Sequence, residues 1–123
     1  MPNKLNIADN PNEAHLVSLC HAISLTKNSE EVKSFLTDLC TPAELRALSE
    51  RWHVAQILNQ GEHSYRDINQ ETGVSTTTIG RVARFLTNEP HQGYRTILDR
   101  INRNTNNGKD KIKISDPKVR QTS

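Results

Sequence analysis

The chain has 123 residues, of which 33% are hydrophobic, and a formal net charge of +2 at pH 7. This length supports one hydrophobic core and excludes a large multidomain enzyme. No apolar run approaches the about 18 residues of a membrane helix, and the first residues lack the pattern of a signal peptide, so neither membrane spanning nor secretion is expected. Cys20 and Cys40 form no CxxC motif, which excludes a zinc ribbon or a disulfide scaffold and indicates buried, reduced thiols in a cytoplasmic protein.

Hydrophobic residues and charges divide the chain into a compact domain and two polar arms. Residues 13–101 hold 34 of the 41 hydrophobic residues. Residues 1–101 carry ten Lys and Arg against twelve Asp and Glu, whereas residues 102–123 carry six against two. We therefore expect a flexible N-terminal arm over 1–12, one helical domain over 13–101 and a disordered basic tail over 102–123. Because the positive charge belongs to the tail, the net charge does not indicate that the domain binds nucleic acid.

The spacing of apolar residues predicts helices along the domain. Apolar residues recur at positions i, i+3, i+4 and i+7 over 16–23, 32–39 and 94–101, which places them on one face of a helix. Ser29, followed by two glutamates, is the expected start of the second of these helices. No segment shows the sustained alternation of a strand. The predicted fold class is therefore all-α, a helical bundle.

A longer helix is expected between Thr41 and Gly61. Thr41, Pro42 and Glu44 have the spacing of an N-cap, a first-turn proline and the acid of a capping box. Gly61 is expected to end the helix. The apolar positions of this helix form either core or a dimer seam, and they are Leu45, Leu48, Trp52 and Ala55.

Residues 64–84 carry the most specific pattern in the sequence. Ser64 is an N-cap candidate with an aspartate three residues later, and Ser75 is a second N-cap candidate. Gly73 lies between them, where a tight turn between two helices needs a positive φ. The positions expected to face inward are Ile68, Thr72, Val74, Ile79 and Val82. This is the pattern of a helix-turn-helix, whose second helix, here 75–87, enters the major groove of DNA.

The outward face of that second helix suits DNA. It has no acidic residue, and its arginines and hydroxyl groups can bond phosphates or base edges. Arg66, in the first turn of the preceding helix, could reach a guanine edge or the backbone. The predicted DNA-binding residues are Arg66, Ser75, Thr76, Thr77, Gly80, Arg81 and Arg84. The expected function is sequence-specific regulation of transcription, with double-stranded DNA as the partner.

Two alternatives remain open from the residues alone. Residues 64–87 could be one more amphipathic hairpin of a bundle, since Asn69 occupies a position where a small residue is usual. The chain would then be a helical protein-interaction module that contacts a partner through the Trp52 helix. In the other alternative, the basic tail dominates a nucleoid-type binding to DNA.

Sites for catalysis or metal binding are not indicated. The five histidines form no HExxH motif and no Cys/His pair has zinc-finger spacing. The sequence also lacks a nucleophile elbow, a P-loop and paired carboxylates. We therefore expect neither an enzyme nor a bound cofactor or metal.

Residues 41–86 carry a resemblance to a known family. The segment TPAELRALSERWHVAQILNQGEHSYRDINQETGVSTTTIGRVARFL resembles the Trp repressor family, and GYRTILDRI over 93–101 extends the similarity. The resemblance implies an intertwined, all-helical homodimer with interlocked N-terminal helices and two projecting reading heads. It also implies a repressor whose dimer binds operator half-sites about one helical turn apart.

The resemblance also bears on control by a ligand. In the repressor that names the family, two arginines hold the indole of tryptophan between them, and Arg51 and Arg81 stand at the matching positions. Val82 stands where that repressor has a glycine, and Phe85 where it has a serine, so both would occupy space that the indole needs. We therefore expect no response to L-tryptophan as a co-repressor, and we expect Arg51 and Arg81 to serve an ion pair or phosphates.

Overall fold

The structure is a computed structural model that describes residues 10–107, and within this range the chain forms helices and no strand. The six helices are α1 (Pro11–Ser24), α2 (Ser29–Leu39), α3 (Pro42–Gln60), α4 (Tyr65–Thr72), α5 (Thr76–Thr87) and α6 (Gly93–Asn107). The predicted all-α fold class is confirmed. The described residues divide into two compact units, one ending at Ala47 and the other beginning at Leu48.

Side chains cap the helices that begin in the first unit. The Asn10 side chain accepts hydrogen bonds from two backbone N–H groups of the first turn of α1. Asn28 caps α2 by accepting from the Glu31 N–H at 2.9 Å, so Ser29 is the first helical residue rather than the cap. Asn28 and Ser29 are both good capping residues, and the extended backbone of Asn28 gives it this role. At α3, Thr41 and Glu44 form the predicted reciprocal bonds at 2.8 and 3.1 Å.

The apolar faces of α1 and α2 are incompletely covered, because their residues range from half-buried to exposed. Neither helix contains a buried residue. Leu16 on α1 is 51% exposed, and Cys20, on the same face, is exposed as well, whereas Cys40 is half-buried. The prediction that both cysteines are buried is therefore wrong for Cys20. Helical spacing identifies an apolar face but does not show what covers it.

The second unit contains the hydrophobic core. Its buried cluster joins the part of α3 after residue 48 to α4, α5 and the corner between them. The members of the cluster are Val54, Ala55, Ile57, Ile68, Val74, Ile79 and Val82. Gly61 ends α3 with a left-handed φ of +79°, as its position predicts. The core therefore holds the two helices of the predicted helix-turn-helix from behind.

The helices extend past both expected domain boundaries. α1 begins at Pro11, two residues before the expected start at 13, because Asn10 and Pro11 form a cap and a first-turn proline. α6 continues to Asn107, six residues beyond the expected end at 101. The apolar pattern fades there, but the sequence has no proline or glycine between Gly93 and residue 108 to stop the helix. Residues 1–9 and 108–123, which hold most of the expected arm and tail, lie outside the described range.

Candidate nucleic-acid interface

A complete capping box fixes the start of α4. The Ser64 hydroxyl oxygen accepts from the Asp67 N–H at 3.0 Å, and the Asp67 carboxylate accepts from the Ser64 N–H at 3.4 Å. One turn further on, Ile68 is fully buried. The first helix of the motif is therefore held by its cap at one end and by the core along its inner face.

The turn between α4 and α5 is closed by Gly73 and by two polar side chains. Gly73 has a φ of +80°, and its N–H donates to the Asn69 carbonyl oxygen at 2.8 Å. The Asn69 side-chain amide donates to the Val74 carbonyl oxygen at 2.8 Å. The Thr72 hydroxyl donates to the Ile68 carbonyl oxygen and accepts from the Val74 N–H, at 2.7 and 3.1 Å. Asn69, which looked atypical in the sequence, therefore closes the corner.

The second helix, α5, is anchored on one face and free on the other. The Ser75 hydroxyl oxygen caps it by accepting from the Thr78 N–H at 3.1 Å. Ile79 and Val82 are fully buried on its inner face. This arrangement fixes the direction of the helix while leaving its outer face unused by the core.

The structure places most of the predicted DNA-binding residues on an exposed surface. Gly80 is the exception, since it is half-buried and the Tyr65 ring lies 3.9 Å from the position a Cβ would take there. Neither the role of Tyr65 nor its contact with Gly80 was predicted from the sequence. The exposed residues are Arg66, Ser75, Thr76, Thr77, Arg81 and Arg84. Their exposure leaves them accessible, and their contact with DNA stays a prediction.

Both arginines of α5 place their guanidinium groups against the ring of Phe85. The Arg81 guanidinium carbon lies 4.2 Å from the centre of the Phe85 ring, and that of Arg84 lies 5.0 Å from it. His91 stacks on the same ring, with centroids 5.9 Å apart. Both distances to the arginines lie within the range of cation–π attraction. Both guanidinium groups therefore lie against the same ring at the C-terminal half of α5.

Glu89 forms an ion pair with Arg84, which sequence reasoning missed. A carboxylate oxygen of Glu89 lies 3.3 Å from the Arg84 Nε. The two residues are five apart and Glu89 follows the end of α5, so the i, i+4 rule for helical pairs does not find them. The sequence contained one indication of this pair, since Glu89 is the only acidic residue between positions 72 and 98.

Side chains fill the positions that the resemblance relates to tryptophan. Val82 is fully buried in the core, and Phe85 is half-buried against Arg81. Arg51 is half-buried on α3. A separate apolar cavity of about 400 Å³ lies between α3, α5 and α6, and its lining consists of Trp52, Phe85, His91, Gly93, Tyr94 and Ile97.

The part of the chain that the structure describes holds neither a candidate metal site nor a candidate membrane span. No group of three or more His, Cys, Asp or Glu residues between 10 and 107 could hold a metal ion. None of the helices described there is long and apolar enough to cross a membrane.

The capped helices, the glycine turn and the open face of α5 define a helix-turn-helix protein of all-α fold. Comparison with models of protein families finds a match to the Trp repressor protein over residues 14–102. The chain belongs to the Trp repressor family, as its sequence resemblance implied.

Individual relatives agree with this assignment. The uncharacterized protein YerC of Bacillus subtilis is 42% identical over 86 residues, which are 70% of this chain and 81% of YerC. A Trp operon repressor homolog of Aliivibrio fischeri is 36% identical over 75 residues, 61% of this chain and 69% of that protein.

Two solved structures share the fold. A crystal structure of a candidate Trp repressor from Staphylococcus aureus has a TM-score of 0.66 and 45% identity, covering 72% of this chain and 87% of that one. A TrpR-like protein from Eubacterium eligens has a TM-score of 0.62 and 32% identity, and the match covers 79% of this chain and 95% of that one.

Proposed function

We propose that this protein is a transcription regulator that binds double-stranded DNA sequence-specifically, with α5 in the major groove, and that it acts as a repressor. The observation that carries the proposal is the contrast between the buried inner face and the exposed outer face of α5. Ile79 and Val82 fix the inner face in the core, and the outer face presents hydroxyl groups and arginines without an acidic residue in the helix. Membership of the Trp repressor family supports a regulator over an enzyme. The cytoplasmic location stays a prediction.

The first turn of α5 is the part proposed to meet base edges. Thr76 and Thr77 are exposed there, and their hydroxyl and methyl groups suit base edges and thymine methyls. Ser75 binds the N–H of Thr78, so its part is to hold the helix start in place. The remaining N–H groups of the first turn favour a phosphate. Arg66, exposed on α4, adds a contact to the backbone or to a guanine.

The functional unit is proposed to be a homodimer. Several apolar residues of α1, α2 and α3 are exposed in the single chain. Apolar side chains stabilise a fold only when they are removed from water, so this surface favours contact with another molecule. A second copy supplies that contact for both chains at once, and the family resemblance implies this assembly. The exposed residues in question are Leu16, Val17, Ile23, Leu39 and Leu48, together with Leu25 directly after α1. Sedimentation equilibrium should give twice the 13.9 kDa of one chain.

We further propose that DNA binding does not depend on L-tryptophan. Val82 and Phe85 would occupy the space of an indole held by Arg51 and Arg81. In support, Val82 is part of the buried core, and the Phe85 ring lies against the Arg81 guanidinium. The two arginines are then available for phosphates or for ion pairs.

Selection of bound fragments from random-sequence double-stranded DNA tests the proposed function. The expected result is an enriched palindrome whose half-sites lie about one helical turn apart. If the protein retains no DNA even at low salt, the alternative of a helical protein-interaction module is favoured and the proposal is wrong. Repeating the selection with residues 108–123 deleted, which leaves α6 (Gly93–Asn107) whole, tests the tail, since a nucleoid-type binder would lose all binding and the proposed regulator would only bind more weakly.

A further inference from the structure

The C-terminal half of α5 arranges its arginines before any DNA is bound. Arg81 and Arg84 share the Phe85 ring at 4.2 and 5.0 Å. A guanidinium that stacks on a ring keeps its hydrogen-bonding groups at its edge free. The ring therefore narrows the conformations of both side chains without using up their donors.

Glu89 restricts Arg84 further. Its carboxylate lies 3.3 Å from the Arg84 Nε, and its backbone N–H donates to the Arg84 carbonyl oxygen at 3.1 Å. The ion pair is formed at the Nε of the guanidinium. Among the described residues, no other carboxylate pairs with Arg84.

The position of Glu89 does not favour the helix itself. Glu89 directly follows Asn88, the C-cap of α5, and the C-terminal end of a helix carries partial negative charge that repels an acid. Stabilisation of the helix end therefore does not explain a carboxylate here. Its shortest ion-pair contact is with Arg84, at 3.3 Å against 4.0 Å to the His91 Nε2, and it offsets the charge of Arg84 at the surface proposed to meet DNA.

We propose that Glu89 is a positioning residue that gives α5 its sequence selectivity by restraining Arg84. The inference rests on the proposed function. On unrelated DNA, the Glu89 carboxylate competes with phosphates for the Arg84 guanidinium and keeps it paired. On the correct sequence, contacts along α5 outweigh that competition, and an exposed ion pair is weak enough to rearrange. Discrimination by an element that acts against the wrong partner is a general route to specificity.

Glu89→Gln tests this, with Glu62→Gln as the matched control. Both changes remove one negative charge, and Glu62 is exposed in the segment after α3 without a described ion pair. We expect E89Q to bind unrelated double-stranded DNA about 3- to 10-fold more tightly, with a steeper salt dependence. Its affinity for the selected site should rise less, so the ratio of specific to non-specific affinity falls. E62Q should leave that ratio unchanged.

A second comparison shows whether the effect passes through Arg84. Adding E89Q to Arg84→Gln should change the ratio no more than E62Q does, because the partner of Glu89 is already neutral. The ¹⁵N–¹H signal of the Arg84 Nε should also shift between the wild type and E89Q, which a change of bulk charge would not produce. Both comparisons use the full chain.

Several results would overturn the role of Glu89. They are an unchanged specificity ratio in E89Q, a weaker binding to both DNAs, a full E89Q effect in the Arg84→Gln background, or an unchanged Arg84 Nε signal. Failure of the proposed function looks different, since the wild type itself would then show no sequence-selective binding, and the role of Glu89 would fall with it.

Discussion

Arg84 and Glu89 contact each other through both side chain and backbone. The Arg84 Nε lies 3.3 Å from a Glu89 carboxylate oxygen, and the Glu89 N–H donates to the Arg84 carbonyl oxygen at 3.1 Å. The loop after α5 therefore turns back onto the last arginine of the helix. The Glu89 carboxylate therefore lies next to Arg84, a cation that we propose to contact DNA.

Arg84→Ala should weaken binding to every DNA sequence, and most at the selected site, where we propose that Arg84 leaves Glu89 for the DNA. If Arg84 meets a phosphate, its loss should cost about tenfold in affinity and lower the slope of log K against log salt by about one. Fluorescence anisotropy over a salt series measures both. Arg46→Ala removes the same charge from an exposed position on α3 and should change neither. Equal effects of the two variants would contradict a local role for Arg84.

Gly73→Ala should destabilise the helix-turn-helix. The φ of +80° is left-handed, and a residue with a Cβ pays about 1–2 kcal/mol to adopt it. Urea unfolding at one fixed protein concentration measures the free energy. Gly93→Ala is the control, since Gly93 has no left-handed φ and no atom would lie within 4 Å of its Cβ, and its stability should change by less than about 0.5 kcal/mol. Equal losses would mean that the turn conformation is not the cause.

Asn69→Ala should also destabilise the turn, through a different contact. It removes the 2.8 Å bond to the partly buried Val74 carbonyl, and leaving such a group unpaired costs about 1–3 kcal/mol. Gln70→Ala, at the exposed neighbouring position of α4, should have a much smaller effect in the same urea titration. A loss in Q70A as large as that in N69A would show that helix propensity, not the turn bond, is being measured.

L-Tryptophan should neither bind in the micromolar range nor alter DNA binding. Val82 is fully buried and Phe85 lies under Arg81, so an indole between Arg51 and Arg81 would have to displace packed side chains. Isothermal titration calorimetry measures the binding, with glycine as the blank for heats of dilution. Saturable tryptophan binding below about 1 mM, which is stronger than about −4 kcal/mol, would contradict the expectation.

Local signals made the helix-turn-helix predictable from the sequence. The caps Ser64 and Ser75 and the turn glycine Gly73 each act on backbone within four residues, so their spacing alone specifies the geometry. The buried positions Ile68 and Ile79 follow from the helical period once those ends are known. The exposed side of α5 could be assigned for the same reason, apart from Gly80, which is half-buried.

Contacts that depend on neighbouring elements were not predictable in this way. Helical periodicity places Cys20 on the apolar face of α1, but it does not show whether another element packs on that face. The exposure of Cys20 could therefore not be predicted from α1 alone. The bond from Asn69 to Val74 and the pair between Arg84 and Glu89 join residues at five-residue separations across the end of a helix. The distance between two residues at such a separation depends on the backbone conformation of the loop after the helix, which sequence spacing does not determine.

The decisive measurement is the sequence preference of the Thr77→Ala variant, determined by selection from random double-stranded DNA beside the wild type. Thr77 is exposed in the first turn of α5, so its removal should change the preferred base at one position of each half-site, at a cost of about 1–3 kcal/mol for that base. Thr37→Ala, exposed on α2, should select the wild-type motif. If Thr77→Ala selects the same motif with the same base preferences, α5 does not read the sequence at Thr77 in the way we propose.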